Sequence, residues 1–198
     1  LNKYYGYNTF RKGQYEIISN ILRGRDSFCI LPTGGGKSIC YQIPALLFKG
    51  ITIVISPLIS LMKDQVDNLN SNGINARYIN STQRLELSDE IIELCKRGEV
   101  KLLYIAPEKL ENEFFKRKLS ALNKSKIAID EAHCVSMWRH VFRKSYSIIA
   151  EFINSFRVRP IITAFTATAN EVVREAVIKL PRFRTTYIYI GSFTRETL

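Results

Sequence analysis

The chain reads as an α/β domain, a mostly parallel sheet with helices on both faces. Short apolar runs alternate with stretches of helical period along its 198 residues, which is the pattern of strands joined by crossover helices. A glycine-rich turn, Leu31-Pro32-Thr33-Gly34-Gly35-Gly36-Lys37-Ser38, stands between one such strand and the helix that follows it. An acidic pair, Asp130-Glu131, ends another apolar run over 126–129, at the carboxyl edge where open parallel sheets hold ligands.

The elements follow in order. Tyr15, Ile18, Ile21 and Leu22 recur at helical spacing and predict a helix over 14–22. An apolar strand over 27–31 leads into the glycine turn and a helix to about 48. The strand over 51–55 stops at Ser56-Pro57, and the helix over 58–72 ends at Gly73. A short strand over 76–79 precedes Ser81-Thr82, which is expected to cap a helix running to 97 and ending at Gly98. A strand over 101–105 leads to Pro107, one or two short helices fill 108–122, and a strand over 126–129 delivers the acidic pair. A loop over 135–145, a helix over 146–156, a strand over 161–165, a helix over 170–180 and a last strand over 186–190 complete the chain. With no repeat, low-complexity tract or linker in it, one domain is expected.

Composition narrows the function. A hydrophobic fraction of 46% with 11% aromatics can fill a core, which excludes a disordered chain. Lys and Arg number 29 against 18 Asp and Glu, a formal charge of +11, and that excess favours a polyanionic partner, nucleic acid or an acidic membrane surface. No run of about 18 apolar residues is present to span a bilayer, and the first residues lack the layout of a secretory signal. Cys29, Cys40, Cys95 and Cys134 form no C-x-x-C pair, which argues against a zinc knuckle or a disulfide framework and for a reducing, intracellular compartment.

The glycine turn has the chemistry of a phosphate cradle. Glycines let successive N–H groups point at one anion, and the following helix adds its positive end. Lys37 would reach the β- and γ-phosphates of a nucleotide and the Ser38 hydroxyl would ligate Mg²⁺. Leu31 stands where the strict G-x-x-x-x-G-K-[ST] pattern has glycine. Asp130 would hold the Mg²⁺, through water, and Glu131 would orient the water that attacks the γ-phosphate. The plainer alternatives are a ligand-free strand–helix turn and a helix N-terminus that opens with two carboxylates.

Read together, Phe10-Arg11-Lys12-Gly13-Gln14, the 31–38 turn and Ser56-Pro57-Leu58-Ile59-Ser60-Leu61-Met62-Lys63-Asp64-Gln65 resemble the RecQ family of DNA helicases. So do Tyr104-Ile105-Ala106-Pro107-Glu108-Lys109-Leu110, Asp130-Glu131-Ala132-His133-Cys134 and Phe165-Thr166-Ala167-Thr168-Ala169. The resemblance runs through essentially the whole chain. It implies a RecA-like P-loop NTPase domain, the first of two motor domains of a superfamily 2 helicase.

Further roles are implied by that resemblance. Tyr7, Arg11 and Gln14 would recognise adenine, and Thr33, Gly34, Gly35 and Gly36 with Lys37 and Ser38 would hold the phosphates. Ser56, Lys63 and the amides near Leu58 would grip DNA phosphates, while His133, Thr166 and Thr168 would link the nucleotide and DNA sites. Trp138, His140, Phe142 and Arg143, in the aromatic-rich loop, would stack on single-stranded bases and signal to Glu131. That loop departs from the family's usual residues at Met137, Arg139, Val141 and Lys144, with a gain of positive charge, and Thr194 stands where aspartate is usual.

The implied activity is ATP-driven 3′-to-5′ translocation and duplex unwinding in DNA repair and recombination, with ATP and Mg²⁺ as cofactors. Implied partners are single-stranded and forked DNA and a second RecA-like domain of the same parent chain, with no membrane. The expected location is the bacterial cytoplasm and nucleoid, or the nucleus of a eukaryote. Residues 1–198 alone are expected to bind Mg-ATP weakly, hydrolyse it poorly and unwind nothing. The competing readings are a non-motor module that binds nucleotide and nucleic acid, and an RNA helicase.

Overall fold

A computed structural model describes residues 1–134, 143–168, 171–180, 183–184 and 187–191. Among them the strands are β1 (Ser27–Ile30), β2 (Ile51–Ile55), β3 (Ala76–Ile79), β4 (Leu102–Ile105), β5 (Lys124–Ile129), β6 (Ile161–Thr166) and β7 (Tyr187–Ile190). They form one sheet in the order β3-β4-β2-β5-β6-β1-β7, and every pairing is parallel. The helices are α1 (Asn2–Tyr5), α2 (Gln14–Leu22), α3 (Lys37–Leu47), α4 (Ile59–Ser71), α5 (Leu85–Lys96), α6 (Glu113–Ala121), α7 (Arg143–Asn154) and α8 (Glu171–Ile178), with a 3₁₀ turn at Pro107–Glu111.

Strand residues alternate between two cores. Ile53, Ile55, Leu103, Ile105, Ile127 and Ile129 pack with α5, α6, α7 and α8 through Ile92, Leu119, Phe152 and Val177. Val54, Leu102, Tyr104 and Ala128 point to the other face and meet α2, α3 and α4 through Ile17, Tyr41 and Met62. With helices on both sides no strand face needs to be polar, which is why the strands read as unbroken apolar runs.

Lys126 breaks that rule. It is fully buried, and its ammonium donates to the Tyr41 carbonyl at 2.5 Å. Desolvation pulls its pKa from 10.5 down to about 7, against a smaller opposing effect of Cys40. The unfolded chain therefore binds a proton that the folded one sheds between those values. The resulting penalty on folding is absent above about pH 10.5, grows as pH falls and is complete below about 7. Lys126→Met is expected to gain about 2–4 kcal/mol at neutral pH and little near pH 10. Urea unfolding at the two pH values measures both.

Asp26 ties the amino-terminal edge of β1, β6 and β7 together. Its side chain is fully buried beside the Arg159 guanidinium, and its carboxylate accepts the N–H groups of Ile162 at 2.9 Å and Arg184 at 2.7 Å. Its carbonyl accepts Tyr187 N–H at 3.0 Å, so one residue joins β1, β6 and β7. Asp26→Ala strips these buried donors of their acceptor and is expected to cost about 3–5 kcal/mol in denaturant unfolding.

Boundaries differ from the sequence reading in four places. Ser81-Thr82 does not cap α5, whose N-cap is Arg84. Instead Asn80 folds back to accept the N–H and hydroxyl of Thr82 at 3.0 and 2.8 Å, a local turn that outcompetes the cap. α7 begins at Arg143, inside the expected loop, and β5 begins at Lys124. α1 has four residues and no buried ones, so no periodicity marks it.

Candidate active site

Strand order assembles the site. β1, β6 and β5 are neighbours, so their carboxyl ends stand side by side at about 4.8 Å spacing. Past β1 the chain closes the glycine turn with Gly35 N–H on the Pro32 carbonyl at 2.9 Å. Gly36, at φ 77°, is the N-cap of α3 and no side chain caps that helix. Its first N–H groups and its positive end are left to the turn. Gly36 also has no room for a side chain, since a Cβ there would lie 2.2 Å from Gln14 Nε2.

Across β6, the end of β5 supplies the acidic pair. Lys37 Nζ meets Glu131 Oε1 at 2.9 Å with both side chains mostly buried. Glu131 has φ 48°, the single non-glycine residue with positive φ among those described, and such strain gathers at functional positions. Its N–H donates to Asp130 Oδ1 at 2.9 Å, while Tyr41 OH donates to Asp130 Oδ2 at 3.2 Å. Burial, then the Glu131 charge, raises the Asp130 pKa; the Glu131 N–H, Lys37 and Tyr41 oppose them.

β6 contributes Thr166 between the two. Its hydroxyl donates to the Thr168 carbonyl at 2.7 Å, so toward His133 Nδ1, 3.0 Å away, it can only accept. Nδ1 therefore carries a proton, which it shares between Thr166 and Glu131 Oε2, 3.1 Å away. Lys37 and His133 thus hold the two oxygens of one carboxylate. Thr166 and His133 come together, whereas Thr168 takes part through its main chain and its side chain is exposed.

The segment before α2 closes one side of a cleft of about 290 Å³ lined by Tyr7, Arg11, Gln14, Gly34, Lys37 and Ser38. Tyr7 is half exposed there, and Thr33, earlier in the turn, is exposed. Gln14, assigned to the adenine edge, lines the cleft and also braces the turn. It is buried, its oxygen accepts Arg11 N–H at 2.8 Å and its amide donates to the Gly36 carbonyl at 3.2 Å. With the Arg11 guanidinium on the Gly34 carbonyl, these residues brace the turn.

Ser56 departs from its assigned role. It is buried and its hydroxyl has no partner among the described residues, while its N–H prolongs the sheet on the Ile105 carbonyl at 3.1 Å. So placed, the side chain cannot reach a DNA phosphate. Lys63 is exposed on α4, whose N-cap Leu58 supplies no side-chain cap. Trp138, His140 and Phe142 lie outside the described residues, and Arg143 is placed as the first residue of α7.

Sequence reasoning missed a polar chain beneath the turn. Tyr5 OH donates to Gln42 Oε1 at 2.9 Å, and Gln42 Nε2 donates to Gln65 Oε1 at 2.8 Å and to Tyr104 OH at 3.1 Å. Gln65 Nε2 then donates to Ser38 Oγ at 3.0 Å. The available signal was glutamine on helix faces otherwise apolar.

The residues fit a nucleotide and a hard cation. The turn offers N–H groups and an ammonium, and Ser38 and Asp130 offer oxygen donors that both interact with the Tyr41 phenol. Among the described residues no group of three or more His, Cys, Asp or Glu could hold a metal by itself.

Comparison with known proteins agrees with this geometry. The DEAD/DEAH box helicase family pattern matches residues 11–176. The ATP-dependent DNA helicase RecQ of Bacillus subtilis is 49% identical over 199 residues, covering 100% of this chain and 34% of the relative. The RecQ of Pasteurella multocida is 46% identical over 198 residues, covering 100% and 31%. The chain therefore spans about a third of the length of these curated relatives. Among solved structures, the Hef helicase domain of Pyrococcus furiosus superposes with TM-score 0.68 at 19% identity, over 92% of this chain and 38% of that one. The DUF1998 helicase MrfA bound to DNA and AMPPNP gives 0.73 at 17%, over 91% and 27%. At such identities the likeness establishes the fold, the RecA-like α/β arrangement.

Proposed function

The chain belongs to the DEAD/DEAH box helicase family, and we propose that it is the ATP-binding motor domain of a RecQ-type DNA helicase. The observation that carries this reading is the Lys37–Glu131 ion pair at 2.9 Å. It brings Lys37 and Glu131 into contact although 94 positions separate them, which supports the first as the cation for the phosphates and the second as the carboxylate for the water.

In this reading the triphosphate lies along the turn, on the N–H groups at the start of α3. Lys37 leaves Glu131 for the β- and γ-phosphate oxygens. Glu131, still held by His133 on its other oxygen, is freed to align the attacking water and take its proton. Mg²⁺, held by Ser38 and through water by Asp130, would neutralise charge on the phosphate oxygens. The exposed ring of Tyr7 is available to stack on the base. Lys63 and the uncapped start of α4 face DNA phosphates, contacts indifferent to base sequence and weakened by salt.

The whole protein would translocate 3′ to 5′ along single-stranded DNA and unwind forked duplexes. A second motor domain would supply an arginine to the γ-phosphate, worth on the order of 10³–10⁵ in rate in other NTPases. The test is ATP turnover by the whole protein with and without single-stranded DNA. Strong stimulation is expected. A flat response, or unwinding by residues 1–198 alone, would contradict the proposal.

A further inference from the structure

Gln65 has an unusual place on α4. Met62, Val66 and Leu69 are the buried residues of that helix, and position 65, three after Met62 and four before Leu69, lies on the same face. An apolar side chain would be the default there. Instead the Gln65 amide crosses to Ser38 Oγ at 3.0 Å, and its own oxygen is fixed by Gln42 at 2.8 Å. Gln42, itself buried, is held in turn by Tyr5 and Tyr104. Each amide is thus oriented by its neighbour, and the chain of bonds terminates on the one hydroxyl offered to a cation.

We propose that Gln65 is a positioning residue for Ser38 and ties the metal site to α4; this rests on the function proposed above. A serine oxygen has two lone pairs and a freely rotating proton. With the Gln65 amide on one lone pair, the hydroxyl rotor is pinned and the other lone pair is kept for the cation. Partners of this kind set the affinity of a metal site without touching the metal. Lys63 is two residues away on the same helix, so displacement of α4 by a DNA phosphate acts on Ser38 through Gln65. The linkage is reciprocal: a cation on Ser38 biases α4.

The test is Gln65→Met, which keeps length and an apolar face while removing both polar ends. In the whole protein, affinity for a fluorescent ADP analogue is titrated with saturating Mg²⁺ and with EDTA. The Mg²⁺-dependent gain is expected to fall about 10–100-fold while the EDTA affinity is unchanged. The difference in affinity for a single-stranded oligonucleotide between the Mg-nucleotide-bound and nucleotide-free protein should shrink with it. Combined with Ser38→Ala, the second change should have little left to remove. An undiminished Mg²⁺ gain, an equal loss with and without Mg²⁺, or additive effects of the two substitutions would overturn the role of Gln65. An oligonucleotide difference of wild-type size would overturn the link to α4. Absence of Mg²⁺-dependent nucleotide binding in the unaltered protein would instead overturn the proposed function itself.

Discussion

Glu131→Gln will bind Mg-ATP at least as tightly as the unaltered protein and hydrolyse it about 10²–10⁴-fold more slowly. The two halves of this result have separate causes. Without nucleotide, Lys37 is paired with Glu131 at 2.9 Å, and a phosphate must compete with that carboxylate for the ammonium. A neutral amide competes less, so binding is preserved or improved. The amide still accepts from His133 but cannot take a proton from water, so the chemical step suffers. Binding titration together with single-turnover hydrolysis separates the two. Normal turnover by Glu131→Gln would remove Glu131 from the role of general base.

Lys37→Ala is expected to take binding and chemistry together. Removing one preorganised cation from a transferring phosphoryl group costs about 10²–10³ in rate, and the ground state loses the same contact to the phosphates. Glu131 keeps His133 at 3.1 Å, and Gly36 remains the N-cap of α3 whatever side chain follows, so the fold should persist. Far-ultraviolet circular dichroism and the unfolding midpoint check that persistence, while nucleotide titration and turnover read the loss. The contrast with Glu131→Gln is the informative part. One substitution divides binding from hydrolysis, and the other does not.

The sequence and the structure meet most closely where chemistry is local. The 31–38 turn is a run of residues whose backbone needs are visible in their names, and Gly36 at φ 77° meets that expectation. The strands were legible because both faces of a parallel sheet are buried and each strand becomes an apolar run. Asp130 and Glu131 were legible as a strand end, but their approach to Lys37 depends on β6 lying between β1 and β5. Periodicity carries no information on strand order; the two were joined because a phosphate turn and an acidic strand end both fall at the carboxyl edge of a parallel sheet.

What was not legible has physical reasons too. Gln14 is a residue type that can read a base edge or brace a turn, and its place in the cleft with both ends bonded to the turn is visible only in the fold. Ser56 follows a strand directly, and the sheet claims its N–H and buries its hydroxyl. Lys126 looked like an ordinary strand-opening lysine, yet β5 starts at Lys124 and draws it beneath α3. Gln42 and Gln65 lie far apart in sequence and matter because their amides meet.

On binding nucleotide, Lys37 is expected to exchange a carboxylate for a triphosphate while Ser38 and Asp130 keep the oxygens for the metal. A crystal structure with Mg²⁺ and a non-hydrolysable ATP analogue measures this directly. The expected result is the phosphates along 33–38, Lys37 Nζ on the β- and γ-oxygens and away from Glu131, and the cation between Ser38 and Asp130. An analogue bound elsewhere, or one seated with the Lys37–Glu131 pair intact, would contradict it.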